Sequence, residues 1–198
     1  MFNYDGLTPL HAAVLSHNAV VKELRTLPYM STDFPKELAQ RAHMYVECIK
    51  TLLLTGASSG TKDQKSGRTC LHMAAEEANV ELFNIFLDQP QSALNVKVSH
   101  CICNQRETHS HTHTHTHCTL LNVRFCTFQT FSGNTALHIV SSLQNHKRQV
   151  EAVKLLMRIG AVPGARNFEN ELPCQLVPRG PTGEKVQQLL KGNMYMLK

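Results

Sequence analysis

A short motif occurs three times in this chain, and a repeated motif limits the fold more than any bulk property does. It reads Gly6-Leu7-Thr8-Pro9-Leu10-His11-Ala12-Ala13 near the start. It returns as Gly67-Arg68-Thr69-Cys70-Leu71-His72-Met73-Ala74-Ala75 and as Gly133-Asn134-Thr135-Ala136-Leu137-His138-Ile139-Val140. Each copy is followed by apolar residues at helical spacing. Val46 to Leu54 runs into Gly56-Ala57, Val150 to Ile159 runs into Gly160-Ala161, and Val80 to Leu87 plays the same part in the middle copy. A glycine just past the last periodic residue is a helix stop. Each unit is therefore expected to be a turn followed by two short helices that must stack on a neighbouring unit to bury their apolar faces.

The residues of the motif suit that role. Glycine permits positive φ at the turn. Thr8, Thr69 and Thr135 stand where a hydroxyl can cap free backbone N–H groups. Pro9 fits a first helical turn, where a missing N–H costs nothing. The histidines His11, His72 and His138 invite a metal-ligand or catalytic-base reading. Their shared repeat position favours a structural one, a hydrogen bond tying one repeat to the next. The pattern resembles the ankyrin signature T-P-L-H-x-A, with a period of about 33 residues. The fold class this implies is all-α: an ankyrin-repeat solenoid of stacked helix pairs with β-hairpin or turn tips, carrying a disordered insertion. A stack of this kind binds another macromolecule and does not catalyse.

Bulk properties narrow the classes further. The 198 residues, 42% of them hydrophobic, suffice for one solenoid domain. The formal charge of +5 is mild and no Lys/Arg block occurs, so direct DNA binding is not supported. No apolar run of about 18 residues is present, so no membrane span is expected, and no secretory pattern opens the chain. Of the seven cysteines, Cys48, Cys70 and Cys174 fall at helix positions and read as small buried hydrophobes in a reducing, intracellular setting. There is no Gly-rich phosphate loop, no paired nucleophile and base, and no metal motif of proper spacing. The expectation is a non-enzyme with no cofactor and no small-molecule substrate.

The period is broken twice. Gly6 and Gly67 lie 61 positions apart, about 28 more than one period. The surplus falls at about 19–45, between the two helices of the first unit. Ala19 to Leu24 continues a helix, Pro28 and Pro35 interrupt it, and Lys36 to Ala42 favours helix again. It reads either as a partner-contacting insertion or as an elongated surface loop. Gly67 and Gly133 lie 66 positions apart; without the 32 residues Val98–Gln129 the interval becomes 34. That stretch holds Cys101, Cys103, Cys118 and Cys126 and the alternating tract His109-Ser110-His111-Thr112-His113-Thr114-His115-Thr116-His117. Zinc prefers such ligands, but the single residue between Cys101 and Cys103 is a poor spacing. Alternating His and Thr is also what a CA-dinucleotide repeat encodes. Val98-Ser99 can arise from GTAAGT and Phe128-Gln129 from TTTCAG, the common intron ends. The stretch reads as a retained intron or a real His-rich loop, and in either case as disordered. The resulting division is 1–63, 64–97 and 130–166 as repeats, 98–129 as the insertion, 167–192 as a degenerate capping repeat and 193–198 as a tail.

The text between the motifs is more specific. Asn3-Tyr4-Asp5-Gly6-Leu7-Thr8-Pro9-Leu10-His11, Lys65-Ser66-Gly67-Arg68-Thr69-Cys70-Leu71-His72-Met73-Ala74-Ala75-Glu76-Glu77-Ala78-Asn79 and Arg166-Asn167-Phe168-Glu169-Asn170-Glu171-Leu172-Pro173 resemble the I-kappa-B family, its nuclear members above all. The close, Leu176-Val177-Pro178-Arg179-Gly180-Pro181, is similar to the C-terminal end of such a member. The resemblance implies a protein-binding regulator of transcription in the nucleus, with the cytoplasm as a second location. It implies NF-kappa-B Rel-homology subunits as partners, with the homodimer that lacks an activation domain favoured. It implies DNA contact only through that partner, and a role in inflammatory and immune gene expression. The alternative is a generic ankyrin adaptor or scaffold with another partner. Family members carry more repeats than this chain, so a C-terminal portion is expected, with an exposed apolar face beside Met1-Phe2. An ankyrin stack binds through its tips and inner helices. The candidate contacts are Tyr4, Asp5, Leu7, Lys65, Ser66, Arg68, Phe131, Ser132 and Asn134 on the tips. On the helices they are Leu15, Ser16, Glu76, Glu77, Ser142 and Leu143. Phe131 is the expected apolar anchor, and Glu76 and Glu77 are expected to meet a basic patch.

Overall fold

The computed structural model describes residues 1–26, 34–87, 128–144 and 146–194. Its elements are α1 (Pro9–Thr26), α2 (Phe34–Leu54), α3 (Cys70–Glu76), α4 (Val80–Leu87), α5 (Ala136–Ser141), α6 (Gln149–Arg158), a 3₁₀ turn (Pro173–Gln175) and α7 (Pro181–Met194). The first helices of successive units pack side by side, α1 on α3, α3 on α5 and α5 on the 3₁₀ turn. The second helices form the other layer, with α4 against α6 and α6 against α7. One apolar core runs between the layers through Leu10, Val14, Ile49, Leu53, Leu71, Phe83, Leu137, Leu156 and Leu190. Each such side chain, once buried, contributes roughly 1.5–3 kcal/mol.

Local signals set where the helices begin and end. At α3, the Nδ1 of His72 accepts the Thr69 backbone N–H at 3.1 Å, and at α5 His138 does the same for Thr135 at 3.2 Å. At the C-terminus of α2, Ala57 N donates to Leu52 O (2.9 Å) and Gly56 N to Leu53 O (3.0 Å), with Gly56 at φ +94°. Ala161 and Gly160 close α6 in the same way. This is the Schellman arrangement, in which a left-handed residue satisfies carbonyls that the helix leaves free.

The surplus of the first unit lengthens both of its helices: α1 has 18 residues against seven in α3, and α2 has 21 against eight in α4. Pro35 sits in the first turn of α2 and opens that helix, while Pro28 lies outside the described residues. The extended end of α1 reaches across two further units. Arg25 Nη1 donates to Glu77 Oε2 (3.1 Å), its Nη2 donates to Glu77 O (3.0 Å), and Nη1 meets His146 Nε2 at 2.5 Å. Burial, with Arg25 and Arg148 beside it, lowers the His146 pKa, so its ring stays neutral and accepts.

One expectation needs correcting. Cys70 and Cys174 are buried, but Cys48 is exposed. On α2 the core stripe is Leu38, Val46, Ile49 and Leu53. Position 48 lies about 100° round the helix from Ile49, on the outward face. The His-rich tract and Cys101, Cys103, Cys118 and Cys126, expected to be disordered, lie outside the described residues, as does the tail from residue 195.

Candidate binding surface

Each unit begins with a tip closed by its own backbone. Asn3 N donates to Leu7 O, Asp63 N to Arg68 O, Thr130 N to Asn134 O and Asn167 N to Glu171 O, at 2.8–3.1 Å. The first residue of every tip also turns its side chain inward as an acceptor. Asn3 Oδ1 takes the N–H of Asp5 and Leu7, Asp63 Oδ1 that of Gly67, Thr130 Oγ1 that of Asn134, and Asn167 Oδ1 that of Glu171. The tips then join one another: Gln64 N donates to Gly6 O (3.1 Å), Phe131 N to Ser66 O (2.9 Å) and Phe168 N to Ser132 O (3.1 Å). Glycine is required for this approach. A Cβ on Gly67 would stand 2.6 Å from the Phe131 ring, and one on Gly133 would stand 2.6 Å from the Phe168 backbone nitrogen.

The motif histidines stitch the units from within. His11 Nε2 lies 3.1 Å from Thr61 O and His72 Nε2 2.9 Å from Phe128 O, each two positions before the next tip, and His138 Nε2 lies 3.2 Å from Glu171 O within the next tip. Burial lowers all three pKa values, that of His72 to about 4. With Nδ1 accepting and Nε2 donating, these rings have no lone pair left for a metal. Among the described residues no group of three or more His, Cys, Asp or Glu is placed to hold a metal ion.

Outside the ladder stand the side chains expected to make contacts. Tyr4 is fully exposed, Phe131 58% exposed and Ser132 exposed. Asp5 and Lys65 bridge the first two tips at 2.8 Å, and the Lys65 ammonium holds the Asp5 carboxyl below its usual range. Ser66 is half-buried, because its hydroxyl donates to Asp63 Oδ2 at 2.7 Å. Asn134 Oδ1 accepts from Asn167 Nδ2 at 3.0 Å. Leu7, Leu15, Ser16 and Leu143 are half-buried, and Ser142 is exposed.

The two acidic candidates already have partners. Arg68 spans Asp63 (Nε to Oδ2, 3.2 Å) and Glu76 (Nη1 to Oε1, 2.6 Å), and Glu77 is held by Arg25. The Asp63 side chain is only 1% exposed. Burial alone would raise its pKa, but hydrogen bonds from Ser66 and Arg68, with the Arg68 charge, outweigh this and lower it. The inner-helix side of the second unit is therefore closer to neutral than its acidic pair implies.

One exposed aromatic escaped the sequence reading. Phe168 on the fourth tip is 73% exposed. The signal was present: Asn167-Phe168-Glu169-Asn170-Glu171-Leu172-Pro173 runs in register with Asn3-Tyr4-Asp5-Gly6-Leu7-Thr8-Pro9. Asn170 takes the place of glycine with φ +63°.

The ankyrin-repeat profile matches residues 5–26, 66–97 and 132–168. The chain is an ankyrin-repeat protein. It is 44% identical to NF-kappa-B inhibitor zeta of Homo sapiens over 190 residues, 96% of this chain and 22% of that protein. It is 31% identical to human NF-kappa-B inhibitor delta over 189 residues, again 96% of this chain and 49% of that protein. The chain thus spans less than half the length of these relatives. Its structure is similar to the crystal structure of the ankyrin repeat domain of Bcl-3, described as a unique member of the I-kappa-B protein family. The TM-score is 0.55 at 23% identity, covering 96% of this chain and 54% of that one. The Bcl-3 match shows the shared fold, and the inhibitor matches place the chain beside I-kappa-B ankyrin proteins. No helix among the described residues is long and apolar enough to cross a membrane.

Proposed function

We propose that this ankyrin-repeat stack is an I-kappa-B-like regulator that binds Rel-homology dimers of NF-kappa-B in the nucleus and modulates inflammatory and immune transcription. It reaches DNA only through that partner and performs no catalysis of its own. The observation carrying this reading is the 44% identity to NF-kappa-B inhibitor zeta, which extends over 96% of the chain. The binding face is the row of joined tips. Tyr4, Phe131 and Phe168 supply large apolar area at small side-chain entropy cost, and such aromatics carry most of an interface's energy. The homodimer that lacks an activation domain is the favoured partner.

A second reading, an adaptor for a different protein, gains support from one feature. The acidic pair Glu76 and Glu77, expected to meet a basic patch, is already engaged by Arg68 and Arg25. Immobilised Rel-homology homodimer decides between the two. The expected result is measurable binding that weakens by about tenfold or more in Phe131→Ala/Phe168→Ala, with the melting temperature little changed because both rings are largely exposed. If neither this chain nor a longer version with further ankyrin repeats before Met1 binds, the first reading is wrong.

A further inference from the structure

A groove lies in the molecule's C-terminal half, between the second-layer helices α6 and α7. It has a volume of about 390 Å³ and continues past Lys154 into an adjoining depression of about 220 Å³. Its floor is apolar, formed by Val150, Met157 and Leu189. Its rim is cationic, formed by Lys154, Arg158 and Lys185, all exposed.

Several basic side chains elsewhere on the protein have carboxylate partners. Lys65 pairs with Asp5, Lys50 with Glu47, Arg41 with Glu37, Arg68 with Glu76 and Arg25 with Glu77. Among the described residues no ion pair involves Lys154, Arg158 or Lys185. Three unmatched cations around an apolar floor favour a ligand that brings both acidic and apolar groups. Val150 to Arg158 spans about 12 Å at 1.5 Å per residue, the length of two to three helical turns. Among the described residues no aromatic ring lines the groove, so they offer no stacking platform of the kind that single-stranded nucleic acid uses. An apolar floor has nothing to offer the phosphates of a duplex.

We propose that the α6–α7 groove is a second docking site that takes an acidic amphipathic peptide helix, its apolar residues on Val150, Met157 and Leu189 and its carboxylates on Lys154, Arg158 and Lys185. This mode is helix-in-groove recognition, in which apolar anchors supply affinity and the charged rim sets orientation and rate. The site is separate from the tips, so its ligand and a protein bound at the tips can be held at once.

The probe is a fluorescein-labelled three-turn helical peptide with leucines at i, i+4 and i+8 and glutamates between them. Its control has the same leucines with glutamines in place of the acids. Anisotropy titration of the full 198-residue chain is expected to show binding of the acidic peptide that weakens as salt rises. Lys154→Glu/Lys185→Glu is expected to weaken it by about tenfold or more, while Lys50→Glu on α2 leaves it unchanged. Both substitutions are on exposed positions, and unchanged circular dichroism confirms that the fold is kept. The proposal is overturned if the acidic peptide does not bind, if it binds no better than the control, or if the double charge reversal leaves it unaffected. It is equally overturned if a DNA duplex or a second copy of the chain occupies the same residues in preference to the peptide.

Discussion

At the scale of single residues, the three motif histidines hold the repeats together and also make the stack acid-sensitive. His72 Nδ1 accepts the Thr69 N–H, so its proton sits on Nε2, which donates to Phe128 O. A second proton would have to face a donor in a buried site, and the pKa falls from 6.5 to about 4. The unfolded chain therefore takes up a proton below about pH 6.5 that the folded chain refuses until about pH 4. The stabilisation is complete above 6.5 and is lost as pH falls through that window. For His72 it amounts to about 3 kcal/mol, and His11 and His138 act in the same direction. Asp63, with its lowered pKa, extends the loss to still lower pH. Urea midpoints measured from neutral pH downward are expected to fall steadily across this window. In His72→Gln the slope is expected to be shallower, with a cost of about 1–2 kcal/mol at neutral pH from the lost tie to Phe128. Nature supplies the comparison within the chain, since Gln175 stands at the histidine position of the last unit and still accepts the Leu172 N–H at 2.7 Å. A midpoint that does not move with pH contradicts the account. These histidines were legible because the repeat fixes their place; Cys48 was misjudged because residue type was weighed ahead of helical phase.

At the scale of elements, the tips act as one ladder because glycine lets adjacent turns touch. Substitution to alanine adds the same methyl at each site but meets different obstacles. Gly133→Ala sets a Cβ against the Phe168 backbone nitrogen at positive φ, so the fourth tip must move as a whole. Gly67→Ala meets the Phe131 ring, a side chain that can swing aside. Gly56→Ala meets nothing within 4 Å and bears only the cost of positive φ, about 1 kcal/mol. The expected order of lost stability is Gly133, then Gly67, then Gly56. Gly164→Ala, with open space and no left-handed backbone, should be near neutral. Thermal melts of the four variants check the order, and equal losses would show that tip contact is not what demands glycine. The helix pairs and their glycine stops could be read from periodicity. The Arg25 contacts to Glu77 and His146 could not, because they join residues 52 and 121 positions apart and depend on how far α1 extends.

At the scale of the whole molecule, the two breaks in the period are handled differently. The described surplus residues of the first unit are built into α1 and α2. Those of the second unit lie between Leu87 and Phe128, a connection of 40 residues. Only its far end shows what the stack asks of it. Phe128 O, two positions before Thr130, accepts from His72, and the Phe128 ring packs on the core with an edge near Gly60. Deleting Val98–Gln129 would bring Val96 to that same offset before Thr130. The acceptor for His72 is then kept, because any residue supplies a carbonyl. The trade of phenylalanine for valine forfeits apolar burial of about 1 kcal/mol. Shortening the connection about fivefold returns a similar amount in loop-closure entropy, about 1 kcal/mol. The two terms offset, so the shortened chain is expected to unfold cooperatively with stability within about 1 kcal/mol of the parent and to bind the Rel-homology homodimer equally well. A fall of several kcal/mol, or a broad multi-step melt, would show instead that the stack depends on residues within Val98–Gln129 beyond the Phe128 carbonyl and ring and the Gln129 contacts to Lys62 and Arg166, and the intron reading of that stretch would fail with it.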